Sequence, residues 1–172
     1  MTDIERATAA DVDALVDLWV QLAASQRAHG SHLSPADNRA HIRESLSRRL
    51  VTGGVSLARL PESADDWEAH PEGVVGFVSF HPETGVYEQD TNRGVIENLY
   101  VVPERRGEGI GSNLLAAAED ALAEAGAEAV TLDAMAANER ARQFYRRHGY
   151  EPHRVEFERR LQRETDTNTD RG

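Results

Sequence analysis

VIENLYVVPERRGEGIGSNLL, residues 95–115, decides how this chain folds. The stretch begins as an apolar strand through Val95, Ile96, Leu99, Tyr100, Val101 and Val102. It stops at Pro103, which has no N–H with which to extend a ladder. A short turn, Glu104-Arg105-Arg106, leads into Gly107-Glu108-Gly109-Ile110-Gly111. An alanine- and leucine-rich helix is predicted next, over residues 112–125. Strand, glycine loop and helix in this order form a seat for phosphate. Glycine lets the backbone take positive φ and approach a ligand closely. The unpaired N–H groups of the helix's first turn then face the anion, aided by the helix dipole.

Two other readings compete. A dinucleotide fingerprint requires G-x-G-x-x-G directly after the strand and an acid about twenty residues on. Asp133 stands near that offset, but the third glycine is missing in either register: Ser112 follows Gly107/Gly109, and Leu114 follows Gly109/Gly111. A glycine loop without a ligand is the plainer alternative. It would carry the entropic cost of three glycines for no return.

The chain has 172 residues, enough for one domain with a substantial core. Apolar residues make up 40% and no apolar run approaches the roughly 18 residues of a membrane span. The first residues, MTDIERATAADVD, lack the basic-then-apolar order of a signal peptide, so a cytoplasmic protein is expected. Without cysteine, disulfides, thiolate metal sites and cysteine acyl-enzyme chemistry are ruled out. Of seven histidines, only His29 and His32 have ligand-like spacing, and they fall in a turn with no partner cluster; no metal site is expected. Net charge is −11, and every basic residue is arginine. A lysine-free acidic chain is similar to proteins of extreme halophiles, whose charge keeps them soluble where salt shortens the Debye length to about 3 Å at 1 M. An acidic mouth that attracts a cationic amine is the functional alternative. Neither nucleic acid nor an anionic membrane suits such a surface.

Taken in order, residues 4–7 read as a short strand. Thr8 caps a helix with Asp11 at its third position; Val12, Leu15, Val16, Trp19, Val20 and Leu22 recur at helical spacing. Ser34-Pro35 opens a second helix, with Ile42, Leu46 and Leu50 on one face. Residues 55–60 and 73–80 read as strands, separated by an acidic hairpin loop containing Trp67. After the long helix, AVTLD (129–133) is a strand. Asn138 can cap a helix through Phe144 and Tyr145, which stops at His148-Gly149. Residues 150–160 alternate through Val155 and Phe157 as a last strand would, and a polar tail follows.

Arg106-x-x-Gly109-x-Gly111 after Leu99-Tyr100-Val101 resembles the acyl-CoA signature of the GNAT superfamily of N-acetyltransferases. NERARQFYRRHGY, residues 138–150, looks like the ending of the same family's domain, with Ala141, Phe144, Tyr145, Gly149 and Tyr150 in place. The resemblance implies an α/β (α+β) GNAT fold over residues 1–160: a mixed central sheet of six to seven strands flanked by about four helices, with a disordered tail over 161–172. It implies acetyl-CoA as co-substrate and transfer of its acetyl group to a primary amine on a small molecule or peptide. The edge formed by Leu99, Tyr100 and Val101 would pair with the pantetheine arm. Arg106, Gly107, Glu108, Gly109, Ile110, Gly111 and Ser112 would hold the pyrophosphate, and Asn138 would touch the coenzyme arm while capping its helix.

With no cysteine nucleophile, direct attack by the amine is the simplest chemistry. Tyr145 matches the family's general acid for the departing thiolate; alternatively it is a packing aromatic beside Phe144. Glu97 lies two residues before Leu99, is expected to share its face, and is the candidate base, directly or through water; alternatively it pairs with an arginine. Asp133 could meet a cationic acceptor. A GNAT-fold module that binds acyl-CoA with little turnover is the other functional class. Monomer and homodimer are both compatible with the sequence.

Overall fold

Apolar residues dominate three successive runs, with β-branched and aromatic side chains, which fit a pleated, buried surface, prominent in the second and third. In the computed structural model, which describes residues 1–162, these runs are the centre of one sheet. The strands are β1 (Asp3–Arg6), β2 (Val55–Arg59), β3 (Val74–Pro82), β4 (Arg93–Val101) and β5 (Ala129–Leu132), ordered β1-β2-β3-β4-β5. Each pair is antiparallel except β4–β5, which is parallel. The helices are α1 (Val12–Arg27), α2 (Arg39–Thr52), α3 (Ile110–Glu124) and α4 (Glu139–Arg147).

β3 is buried on both faces because the sheet is covered on both sides. Gly76 faces α3: a Cβ there would meet Leu114 and Val101. The alternate residues face the other way, since Tyr100, opposite Phe77, reaches Gln21 of α1 with its hydroxyl at 3.3 Å. α3 therefore covers one face, and α1 and α2 the other. Phe77, Leu15, Leu46, Leu57, Leu114 and Leu122 are fully buried between these layers.

The sheet has five strands among the described residues, not six to seven. The missing element is the expected strand over residues 150–160, which is irregular and exposed despite its alternating pattern. Alternation alone does not make a strand, because a strand also needs a neighbour for its backbone groups. The expected tail falls outside the described residues, apart from Leu161 and Gln162. The acidic loop over 61–72 folds into two short helical turns, and Trp67 packs against Gly73.

The first strand and first helix are joined by a charged cluster. The Asp11 carboxylate accepts from the Thr8 amide at 2.7 Å and from its hydroxyl at 3.1 Å, the expected capping contacts. Its other oxygen accepts from Arg59 at 2.7 Å, and Arg59 also donates to Glu5 and to the Glu72 carbonyl. Asp11 is only 3% exposed. Burial pushes its carboxyl up, but the Thr8 amide and Arg59 outweigh burial and hold it below the usual carboxylate range. A depressed carboxyl stabilises the fold above its unfolded value, and that contribution is lost as pH falls through the folded one. Asp11→Asn should cost about 2 kcal/mol at neutral pH. Urea melts should show the gap to the parent closing below about pH 4.

Candidate active site

β4 is a shared strand whose two edges are treated differently. Along β3 it is paired from Gly94 to Val101. Along β5 it is paired only from Arg93 to Ile96. Beyond Ile96 the second edge has no strand beside it among the described residues. Val102 donates its amide to Val75 of β3 at 2.9 Å, so the alternating amides of Leu99 and Val101 turn toward the open side. The Val101 carbonyl there accepts from Arg106 Nε at 2.9 Å.

A bulge sits where the two strands part. Ser79 opposes Asn98 and Phe80 opposes Ile96, which leaves Glu97 as the extra residue. The bulge resets the alternation, so Glu97 does not share a face with Leu99. Leu99 opposes Val78 on the α3 face, whereas Glu97 faces α2. There Arg49 grips the carboxylate with two hydrogen bonds, Nε at 3.2 Å and Nη2 at 2.9 Å. His81 Nε2 approaches the same carboxylate at 3.0 Å, and its Nδ1 lies 2.7 Å from the Pro82 carbonyl. Both ring nitrogens thus face oxygens that only accept. Burial pushes the Glu97 carboxyl up, but Arg49, with His81 behind it, outweighs burial and holds it below the usual range.

The glycine loop closes the far end of the open edge. Gly107 and Gly109 have φ of +84° and +83°, and a Cβ on either would meet nothing within 4 Å. Left-handed backbone beside open space is what a ligand approaching the main chain requires. Gly109 caps α3, and its carbonyl accepts from Asn113 at 3.0 Å. The amides of Ile110, Gly111 and Ser112, one turn earlier, have no acceptor within the helix. Gly111 differs: it lies against α4, where a Cβ would make ordinary contact with the Phe144 ring at 3.5 Å.

The side chains named from the sequence divide by what they can do. Arg106 lies over the Tyr100 ring, 5.5 Å from its centroid, and braces the strand end. Ile110 is buried and Glu108 lies 3.5 Å from Arg105, which leaves the main chain of these two positions for a ligand, whereas Tyr100 is buried and turns its main-chain groups toward β3. His148 Nδ1 donates to the Phe144 carbonyl at 2.8 Å and its Nε2 lies 2.9 Å from Ser112 Oγ, so the ring links α4 to the first turn of α3. Asn138 caps α4 by accepting from the Ala141 amide at 3.1 Å. Asp133 is exposed at the end of β5. His32 meets Glu158, and no group of three or more potential metal ligands converges among the described residues.

Tyr145 projects from α4, its ring between Phe144 at 5.4 Å and Tyr150 at 5.9 Å. Burial pushes its hydroxyl up to about 12, so it holds its proton throughout the physiological range. Arg49 and His81 were not read from the sequence. His81 could have been found by pairing β3 against β4; Arg49, at the end of α2, carries no local signal.

Residues 51–150 match the Acetyltransferase (GNAT) family, and the chain belongs to that family. An aminoalkylphosphonate N-acetyltransferase of Salmonella typhimurium is 38% identical over 88 residues, 51% of this chain and 56% of that protein. An uncharacterised Bacillus subtilis N-acetyltransferase is 40% identical over 57 residues, 33% of this chain and 38% of that one. The chain thus spans about half or less of the length of these relatives. Among solved structures, a GCN5-related N-acetyltransferase from Ralstonia eutropha has a TM-score of 0.69 at 24% identity, covering 94% of this chain and 99% of that one. An aminoglycoside N-acetyltransferase in complex with CoA has a TM-score of 0.65 at 16% identity, covering 93% and 95%. These likenesses establish the fold. No helix of the described residues is long and apolar enough to cross a membrane.

Because Arg49 holds the Glu97 carboxyl down, Arg49→Met should raise the pH at which that carboxyl titrates. Carbon-detected NMR of the Glu97 side chain in parent and variant measures this directly.

Proposed function

We propose that this protein transfers an acetyl group from acetyl-CoA to a primary amine, by direct attack with both substrates bound. The observation that carries this reading is the open edge of β4 ending at the left-handed Gly107 and Gly109, which fits an extended arm tipped with a pyrophosphate. Acetyl-CoA supplies the activated thioester. Leu99 and Val101 hold its arm through main-chain groups, and the amides of Ile110, Gly111 and Ser112 hold its phosphates. A main-chain N–H of this strand segment polarises the thioester carbonyl.

Tyr145 donates a hydrogen bond to the departing sulfur. Full proton transfer from a phenol near 12 to a thiolate whose acid ionises near 8.5 is uphill by about 5 kcal/mol. The proton must therefore move in concert with loss of the amine's own proton, or the hydroxyl acts as a donor without giving its proton up. Glu97 is a weak base while Arg49 and His81 hold it. A cationic amine that displaces Arg49 takes over its role and places the acceptor nitrogen on the carboxylate. The same clamp favours a second reading, a module that binds acyl-CoA with little turnover.

Thiol release measured beside coenzyme affinity separates the two readings. Aminoalkylphosphonates and aminoglycosides are the first acceptors to test, at low and at molar salt. Tyr145→Phe should reduce turnover by about a hundredfold, the lower end of general acid effects, with affinity for acetyl-CoA preserved. Unchanged turnover would make Tyr145 a packing residue. In a folded Gly109→Val variant coenzyme binding should be lost; undiminished binding by calorimetry would overturn the phosphate seat.

A further inference from the structure

One ion pair stands where two strands part. Glu97 is the first residue of β4 beyond Ile96, the last position paired with β5. Its carboxylate takes two hydrogen bonds from the Arg49 guanidinium, and the two side chains are 32% and 28% exposed. The pair is open to a solute, yet too enclosed for either charge to be left alone without penalty.

Arg49 is fixed at its root and free at its tip. Its carbonyl accepts from the Gly54 amide at 2.9 Å and from the Thr52 hydroxyl at 3.0 Å, so the end of α2 is held. Its stem runs past Gly54, where a Cβ would lie 3.6 Å from Arg49 Cδ. Among the described residues the guanidinium hydrogen-bonds to Glu97 alone. Displaced from the carboxylate, it stays within a side chain's length. Glu97 meanwhile keeps His81, whose Nε2 lies 3.0 Å away and whose Nδ1 meets the Pro82 carbonyl at 2.7 Å.

An acceptor with only an ammonium satisfies Glu97 and strands the guanidinium. An acceptor that carries its own acid satisfies both, and one internal pair becomes two pairs with the ligand. The planar fork of Arg49, already set on a carboxylate, suits this exchange. Asp133, exposed just past the end of β5, would take the second ammonium of a diamine, but a diamine leaves Arg49 unpaired. The charge of −11 over the whole chain draws any cation and separates none of these acceptors. We propose that the acceptor is a small zwitterion, an amine with a carboxylate or phosphonate two or three bonds away. Arg49 selects it by taking the acid while Glu97 takes the ammonium. The two charges must be close because their receptors start in contact, at 2.9 Å. For the fate of the amine, this inference rests on the acetyl-transfer reading.

Matched acceptors test it: 3-aminopropanoate and 2-aminoethylphosphonate against 3-aminopropanamide and 2-aminoethanol, with 1,3-diaminopropane beside them. Calorimetry in the presence of coenzyme A reads affinity, and thiol release from acetyl-CoA reads kcat/KM. One or both acids should exceed the acid-free amines by about tenfold to a hundredfold, the usual effect of a charge-assisted contact. The acid that leads shows whether the group is carboxylate or phosphonate. Arg49→Gln should weaken the acids and improve the acid-free amines, since the fork is lost and Glu97 is freed. Loss of fold cannot produce opposite shifts. Equal changes for all acceptors would make Arg49 a prop for Glu97 and overturn the proposal. So would a parent that prefers the diamine or the acid-free amines, or one that binds neither acid, whatever else it turns over. Selective, Arg49-dependent binding of an acid without turnover of any amine would keep the zwitterion site and overturn acetyl transfer.

Discussion

β4 has to serve two neighbours with one backbone, and the bulge at Glu97 is how it does so. Up to Ile96 the strand is held on both edges, by β3 and by β5. From Asn98 onward it is held by β3 alone. One extra residue both turns the strand and resets which side chains face which layer. Without it Glu97 and Leu99 would share a face: either Leu99 would turn toward α2, or Glu97 would lie under α3 among the fully buried leucines of that face. The open edge, the exposure of Glu97 to Arg49 and the path toward the glycine loop all follow from this single irregularity.

The polar groups around the bulge are satisfied by neighbours from distant parts of the chain. Arg49 comes from the last turn of α2, His81 from the end of β3, and Asn98 donates to the buried Ser79 hydroxyl at 2.8 Å. Buried polar groups left unpaired are costly, so such a network fixes its members in place. A carboxylate held this way is well placed to orient a cation and poorly placed to accept a proton. In the reaction proposed above, the acceptor supplies part of what activates it, by competing for the position Arg49 occupies.

Much of this was legible in the sequence because it is local. Pro103, the three glycines and the apolar run before them placed β4, the loop and α3 within a residue or two. Thr8 with Asp11, and Asn138 with Ala141, showed as caps because a cap is decided within four residues. What was hidden depends on pairing. The face of Glu97 is hidden because residue type does not mark where a bulge falls, and alternation carried through it reverses. The segment after Tyr150 has a strand's pattern, but a pattern cannot reveal whether a neighbour exists. Arg49 is one of nineteen arginines, and nothing local distinguishes it.

His148 joins the two ends of the cleft. Its ring meets the Ser112 hydroxyl from the first turn of α3 and donates to the Phe144 carbonyl in α4, one residue before Tyr145. The first turn of α3 and the helix that carries the phenol are therefore tied to one another. A tilt of α3's first turn reaches the backbone beside Tyr145 through this imidazole and through the Phe144 ring packed on Gly111. In the proposed reaction, the grip on the phosphate end of the coenzyme would bear on the aim of the phenol at its other end.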